Sequence, residues 1–458
     1  MHASLAELKP SMSGAVVTAD AQFDGVSTDS RNVSPGNLFV ALRGEKFDAH
    51  AFIAQVAQQG AAAVVVEHTP EGLNIPALVV PDTRKALGQI ARHWRRRFAL
   101  PLIAVTGSNG KTTVKEMIAS ILAAAYGKEN HLATRGNFNN EIGVPLTLFR
   151  LAAMHRAGVI ELGMNHPGEI AVLSAIAEPT VGLVNNAQRE HQEFMASVEA
   201  VAQENGAVIK GLPADGIAVF PADDPFTPLW RDYASDSGRR KSVTFGLSAE
   251  ADVSCSFVTR DFGSDMQVKI GAQAFEVKLA AAGEHNVRNA LAAIACSHAI
   301  GIEVSAIQRG LAAFEPVSGR LQRKTARNGA LVIDDTYNAN PDSVRAAIEV
   351  LAQCAAPRLL VLGDMGEVGD EGPKFHEEIG AYARQCGIEK LFTLGELAQH
   401  TTSAFGAGAR HFDALESLTG SLDDLLVADM SVLVKGSRFM KMERVVQHLI
   451  ASPIQETH

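Results

Sequence analysis

The sequence predicts an α/β fold divided into three domains. Three observations predict it. Short apolar runs alternate with amphipathic helical stretches along most of the chain. Those runs are apolar at every position, as parallel strands covered on both faces must be. The length, 458 residues, corresponds to three units at about 150 residues each.

The strand-like runs are residues 64–66, 102–105, 159–162, 181–184 and 217–220, each near turn residues and a helical pattern. In the last third, residues 331–333, 359–362, 391–394 and 432–434 repeat the theme. A helix starting at Asp82 ends in the basic run 93–97, before Pro101 opens a new strand. That run reads as a solvated helix end, where cations meet the negative end of the macrodipole. A second joint lies at residues 316–319, after a helix ending at Phe314. Between the joints, residues 266–280 alternate apolar and polar about Gly271, the pattern of an antiparallel hairpin. The domains are therefore expected at 1–98, 99–316 and 317–458.

Composition excludes several classes. The chain is 47% hydrophobic and 20% charged, which is globular rather than disordered. Its formal charge of −10 argues against a general nucleic-acid binder, because phosphate neutralisation needs a basic surface. The four cysteines, Cys255, Cys296, Cys354 and Cys386, form no CxxC pair, which fits a reducing cytoplasm. No secretory leader and no membrane span are expected.

The strongest local signal is residues 102–113, LIAVTGSNGKTT. An apolar strand enters a Gly-rich turn and then a helix over 113–125. This geometry aims backbone N–H groups and a helix N-terminus at one anionic point. Gly107 and Gly110 allow close approach of the backbone to phosphate. Lys111 supplies a positive charge at the β- and γ-phosphates, and Thr112 a hydroxyl for Mg²⁺. The match to the P-loop pattern is partial, since Val105 stands where that pattern has glycine. ATP binding through Thr106, Gly107, Ser108, Asn109, Gly110, Lys111, Thr112 and Thr113 follows as the expectation.

The same loop, TGSNGKTT at 106–113, resembles that of the Mur ligases and folylpolyglutamate synthases. The resemblance continues in order along the chain. It runs through STDSR at 27–31, LFVALRG at 38–44, ELGMN at 161–165 and HNVRNALAA at 285–293. SGR at 318–320, DDTYNANP at 334–341, GDMGE at 363–367 and VKGSR at 434–438 follow. Together these identify the chain as resembling the Mur ligase family over nearly its whole length. The resemblance implies a small N-terminal domain for a UDP-linked substrate, a central P-loop ATPase domain and a C-terminal Rossmann-like ligase domain. It implies an ATP-dependent amide ligase that adds D-alanyl-D-alanine to UDP-N-acetylmuramoyl-tripeptide through an acyl phosphate. That is a cytoplasmic step of peptidoglycan precursor synthesis, with ATP and Mg²⁺ as cofactors and a monomer expected. A second ligase of the family, or a folylpolyglutamate synthase-like enzyme, is the alternative. A non-catalytic nucleotide-binding protein is the reading from another class.

The family reaction holds two anions together, so it asks for cations, metal ligands and N–H donors rather than a covalent nucleophile. Lys111, Glu161 and His191 are the implied catalytic set, and Thr112, Glu161 and His191 the implied Mg²⁺ ligands. Glu161 sits at a strand end, where ligands bind in open α/β sheets; as an ordinary residue it would make a cap or salt bridge. Asn286 is implied at the adenine edge and Asp335 at the ribose hydroxyls. Arg320 is implied on phosphate, from the domain joint. Asn286 equally suits a helix N-cap, and Arg320 a surface ion pair. Thr134, Asn137, Asn139 and Asn140 form a polar Gly-rich loop that suits the muramoyl-peptide. Ser27, Asp29, Ser30 and Arg31 suit the uridine diphosphate, since arginine forks onto phosphate. Asn338, Asn340, Asp364 and Lys435 are expected to align the incoming dipeptide and the peptide tail.

One departure stands out. The family usually has a lysine about fourteen residues after the histidine, carbamylated to bridge metal ions. Here that position is Asn205, which has no amine to carbamylate. Glu204 or Asn205 supplying an oxygen directly, or a more loosely held second metal, are the alternatives.

Overall fold

Residues 102–105 illustrate why the apolar runs become parallel strands. In the computed structural model, which describes residues 1–69, 72, 74–190, 193–236 and 238–450, they lie fully buried in the strand Leu102–Thr106. Leu102 and Ala104 join one hydrophobic cluster, while Ile103 and Val105 join another. Successive strand side chains point to opposite faces, so a sheet covered on both sides demands apolar residues at every position.

Among the described residues the chain builds three large sheets. The first has five short strands, in the spatial order Val16–Val17, Ala77–Val79, Ala63–Val66, Leu38–Val40 and Val26–Ser27. All its pairings are parallel except the first. The second has nine strands, with Leu102–Thr106 between Val181–Val184 and Ala157–Glu161. Its far edge is an antiparallel meander of Val253–Arg260, Gly263–Ile270 and Gln273–Leu279. Gly271 turns the expected hairpin with a positive φ of 55°. The third sheet has six strands, with Leu331–Asp335, Ser431–Lys435, Arg358–Gly363, Lys390–Leu394 and Ala409–Phe412 in parallel. Strand Gln322–Thr325 closes it antiparallel at one edge.

Helix Thr83–Arg95 welds the first unit to the second. Asp82 caps it by accepting the Arg84 and Lys85 amides at 2.9 and 3.0 Å. Its Ala86, Leu87, Ile90 and Ala91 share one buried cluster with Leu38 and Leu102. In the basic run at its end Arg96 and Arg97 are exposed, as expected, but Arg95 is not. Arg95 is 5% exposed and donates to the carbonyls of Ala177 and Leu100 at 3.1 and 3.2 Å. Arg92 and Arg96 pair with Glu178 at 2.7 and 2.6 Å. The helix ends against the C-terminus of helix Glu169–Ala177, so its cations meet the bare carbonyls of a second helix.

Register positions the site. Glu161 pairs with Val105 and Val184 with Thr106, so three strands end level. The loops leaving them open at the carboxyl edge of the sheet, where open α/β sheets place ligands. In the third sheet Asp335 pairs with Lys435 at the corresponding ends. No described helix is long and apolar enough to cross a membrane.

Candidate active site

A cavity of about 1590 Å³ opens at the shared edge of the second and third sheets. Residues 108–113 form one wall, and Glu161, Asn286, Arg320, Asp335 and Lys435 line the rest.

The turn after Leu102–Thr106 is built for close approach. Gly107 and Gly110 have φ of 131° and 83°. A Cβ at Gly110 would sit 2.4 Å from Asn289 Oδ1 and 2.7 Å from Asn185 Nδ2, so only glycine fits. The helix begins at Lys111, two residues earlier than expected, and runs to Tyr126. Lys111 Nζ folds back over the turn and donates to the Gly107 and Ser108 carbonyls at 2.6 and 3.1 Å. It also pairs with Glu190 at 2.8 Å. A cation held above the turn by main-chain carbonyls is positioned to meet a phosphate.

Asn109 is pinned from several directions. Its amide donates to Asn186 Oδ1 at 2.9 Å, and its carbonyl accepts from Asn185 and Asn186 at 2.8 and 3.0 Å. Asn185 donates to Asn289, which in turn donates to Asn286 Oδ1 at 3.1 Å. Asn286 Nδ2 donates back to the Ala282 carbonyl at 2.7 Å. Gly283, not Asn286, is the N-cap of helix Glu284–Ala299, so the capping alternative does not hold. The sequence reading missed Asn185, Asn186 and Asn289 as a network with Asn286. A pair of amides directly after an apolar strand was the signal available.

Glu161 is 2% exposed. Its Oε1 accepts from Asn139 at 2.8 Å, and its amide donates to Thr134 Oγ1 at 3.0 Å. Its Oε2 is buried with no hydrogen-bond partner among the described residues, which leaves one hard oxygen for a cation. Two of the four loop residues expected on the peptide therefore contact Glu161: Asn139, which also lines the cavity, and Thr134, which is buried. Asn140 Oδ1 accepts the Ile142 and Gly143 amides at 3.2 and 2.9 Å. Asn137, exposed, lines the cavity. His191 lies outside the described residues. Among those described, no cluster of three or more His, Cys, Asp or Glu could hold a metal. Mg²⁺ does not require one, since it binds through one or two carboxylates and keeps waters.

Arg320 crosses from the domain joint to the turn, donating to Thr112 Oγ1 at 3.0 Å and stacking 4.2 Å over the Tyr337 ring. Asp335 Oδ1 accepts the Leu321 amide at 3.1 Å, and its Oδ2 pairs with the buried Lys435 at 2.5 Å. Lys435 also donates to the Asn338 carbonyl at 2.8 Å. Asn338 and Asn340 line the cavity. Asp364 is not part of the cavity lining; it accepts the Ala398 amide at 2.7 Å, at the start of helix Ala398–Phe405.

The N-terminal set stands apart from this cavity. Arg31 forks onto Asp29 at 2.9 and 2.8 Å. That salt link holds the Asp29 carboxyl down to about 2. Ser27 Oγ donates to the Asp29 carbonyl at 3.1 Å, and the Ser30 carbonyl accepts from Gln55.

Asn205 is fully buried. Its Oδ1 accepts from Thr106 Oγ1 at 2.6 Å and from the Gly107 amide at 3.0 Å. Glu204 accepts the Gly168 and Ile170 amides, both at 2.8 Å, at the start of helix Glu169–Ala177. Neither oxygen set is offered to a second metal in the way considered from the sequence: one holds the phosphate turn and the other a helix end.

A glycine-rich turn at a helix start, met by an arginine from a second parallel-sheet unit, defines a multidomain α/β enzyme. Three family models match the chain: the Mur ligase family catalytic domain over residues 22–95, the Mur ligase middle domain over 105–297, and the Mur ligase glutamate ligase domain over 319–438. The UDP-N-acetylmuramoyl-tripeptide--D-alanyl-D-alanine ligase of Escherichia coli (strain K12) is 40% identical over 97% of this chain and 98% of its own. That of Haemophilus influenzae is 38% identical over 94% of each. A crystal structure of MurF from Acinetobacter baumannii superposes with a TM-score of 0.91 at 34% identity, covering 98% of this chain and 99% of that one. MurF ligase from Thermotoga maritima, in complex with ADP, gives 0.84 at 27% identity over 93% and 96%. The chain belongs to the Mur ligase family.

Proposed function

We propose that this chain is an ATP-dependent ligase that joins D-alanyl-D-alanine to UDP-N-acetylmuramoyl-tripeptide, in the cytoplasmic assembly of peptidoglycan precursors. The observation that carries the reading is the hydrogen bond from Arg320 to Thr112. It closes the phosphate turn of one sheet with a cation from another, inside one large cavity. Relatives of that specificity at 40% and 38% identity support the choice of substrates. The divisions at 98/99 and 316/317 are supported by the three separate sheets.

The tripeptide's terminal carboxylate attacks the γ-phosphorus of ATP, ADP leaves, and an acyl phosphate forms. The amine of the dipeptide then adds to the acyl carbon, inorganic phosphate departs with the bonding pair, and the surplus amine proton goes to solvent. Both steps press anions together, so the protein acts chiefly by positioning and charge neutralisation. Lys111 and Arg320 supply the cations at the phosphates. The main-chain N–H groups of residues 110–113 cradle them at a helix start. Glu161 and Thr112, with His191 as the further expected ligand, would hold Mg²⁺, which screens the repulsion between carboxylate and triphosphate. Asn286 is the adenine-edge residue and Asp335 the ribose acceptor. Ser27, Asp29, Ser30 and Arg31 seat the uridine diphosphate; Asn137 and Asn140 face the peptide. Asn338 and Lys435 align the incoming dipeptide.

Phosphate release from ATP tests the reading. Release only when the tripeptide precursor and D-alanyl-D-alanine are both present is the expected result. Release with a single amino acid or with glutamate moves the chain to another ligase of the family, and no release with any amine refutes the reading.

A further inference from the structure

We infer that Asn340 is a positioning residue that acts through Asn109, linking the docking of the C-terminal unit to the shape of the phosphate turn. The two side chains face each other across the domain boundary. Asn340 Nδ2 donates to Asn109 Oδ1 at 2.9 Å, and Asn109 Nδ2 lies 3.4 Å from Asn340 Oδ1.

Asn340 has two tasks on different atoms. Its Oδ1 accepts the Ser343 amide at 2.8 Å, and its own amide donates to Ser343 Oγ at 3.0 Å. That capping box starts helix Pro341–Ala352. A cap needs only an acceptor, and serine or aspartate supplies one as well as asparagine does. The donor half of the amide is therefore surplus to the helix, and Asn109 is what it meets.

Asn109 is the complementary half. Its main chain is fixed to the second sheet by Asn185 and Asn186. Its side chain donates to Gln188 Oε1 at 2.6 Å and receives Asn340. Two residues beyond the cap, Asp342 takes a fork from Arg189 at 2.6 and 3.1 Å and the Arg189 amide at 2.9 Å. Arg189 also pairs with Glu378 at 2.7 Å. The helix start is thus seated against the loop 185–190, and Asn340 carries that seating into the turn itself. A contact made only in the docked arrangement biases the docked state, and coupling of this kind is reciprocal. Nucleotide on the turn favours docking, and docking tightens the turn on nucleotide.

This inference rests on the reading that nucleotide occupies the turn. The test is a double-mutant cycle with Asn340→Ser, Asn109→Ser and the pair, read by the Kd for AMP-PNP and by kcat. Asn340→Ser keeps the cap, so its unfolding temperature is expected to match wild type. We expect it to weaken AMP-PNP roughly fivefold or more and to lower kcat. Both effects should vanish in the Asn109→Ser background. Asn340→Asp, which also keeps the cap but sets a carboxylate against Asn109 Oδ1, should be worse than serine in the Asn109 background. Equal effects of Asn340→Ser in both backgrounds would overturn the link while leaving the nucleotide reading intact. Failure of wild type to bind AMP-PNP would overturn both.

Discussion

The carboxamide oxygen of Asn205 accepts the Gly107 amide at 3.0 Å. The same oxygen accepts the Thr106 hydroxyl at 2.6 Å. An N–H can only donate, so this geometry fixes which end of the amide faces the turn. The NH₂ end is buried without a hydrogen-bond partner among the described residues. Asn205, at the position where the family resemblance implies a modified lysine, holds Gly107, the first glycine of the turn, directly.

Asn205→Ala should therefore act on the turn rather than on a metal bridge. It leaves the Gly107 amide and Thr106 hydroxyl buried without an acceptor, a cost of about 1–3 kcal/mol. The expected outcome is a lower unfolding midpoint in urea together with a higher KM for ATP. Asn205→Asp, which keeps the acceptor, should retain more activity than alanine. Turnover in degassed, bicarbonate-free buffer should equal turnover with bicarbonate added. A bicarbonate requirement would contradict the assignment.

Lys111→Ala removes the cation that the Gly107 and Ser108 carbonyls hold over the turn. We expect kcat/KM to fall at least about 100-fold, some 3 kcal/mol, the usual size for a preorganised charge donor. Glu190 loses its Lys111 partner in the same variant, so the sample needs a circular-dichroism check for folding. Wild-type turnover from a folded sample would refute the phosphate role.

The parts legible in the sequence are those fixed by local chemistry. A strand covered on both faces announces itself by uniform burial-prone residues, so Leu102–Thr106 and Leu331–Asp335 were readable. Strand Val253–Arg260 was not, because past Cys255 its residues are largely solvent-facing and no apolar run exists. The turn was readable from Gly107, Gly110 and Lys111; that Arg320 reaches it through Thr112 is seen only in the structure. Asn340 lines the cavity, and its capping task was legible too, since Asn-Pro-Asp-Ser at 340–343 carries a capping signature with proline at the first helical position. The contacts of Thr134 and Asn139 with Glu161 were not legible, because a polar loop does not say which of its members turn inward. The Arg189 fork to Asp342 and Glu378 joins residues far apart in sequence, and no spacing rule reaches it.

Gly310→Ala tests the packing on the helix that follows the turn. Helix Val304–Ala312 lies so close to helix Lys111–Tyr126 that a Cβ at Gly310 would stand 2.4 Å from Ile121 Cα and 2.7 Å from its amide nitrogen. Backbone cannot yield as a side-chain tip can, so the helices must separate. Overpacking of this kind costs about 1–3 kcal/mol. The Gly310 carbonyl would also lose its 2.7 Å bond from Ser120 Oγ. A lowered urea midpoint is expected. An unchanged midpoint would show that the helix contact is looser than described.

Acid should loosen the third sheet through His376. Its ring is buried, with Nε2 accepting the Met365 amide at 3.1 Å and Nδ1 facing the Gly372 carbonyl at 2.8 Å. Only the neutral ring with its proton on Nδ1 satisfies both. Burial pushes the ring below its ordinary value, against smaller opposing contributions from Gly372 and Asp364 and with a further lowering from His400. The folded state therefore refuses a proton that the unfolded chain takes up below about 6.5. Stability from this group is complete above that pH and is lost as pH falls toward the depressed folded value, with a slope of at most about 1.4 kcal/mol per pH unit. Protonation also evicts the Met365 amide, and the adjoining Gly366 and Glu367 line the cavity. The urea midpoint of the wild-type protein should drop between pH 7 and 5, and His376→Gln should flatten that drop while lowering the midpoint at pH 7. Parallel curves for the two proteins would place the acid sensitivity in another group.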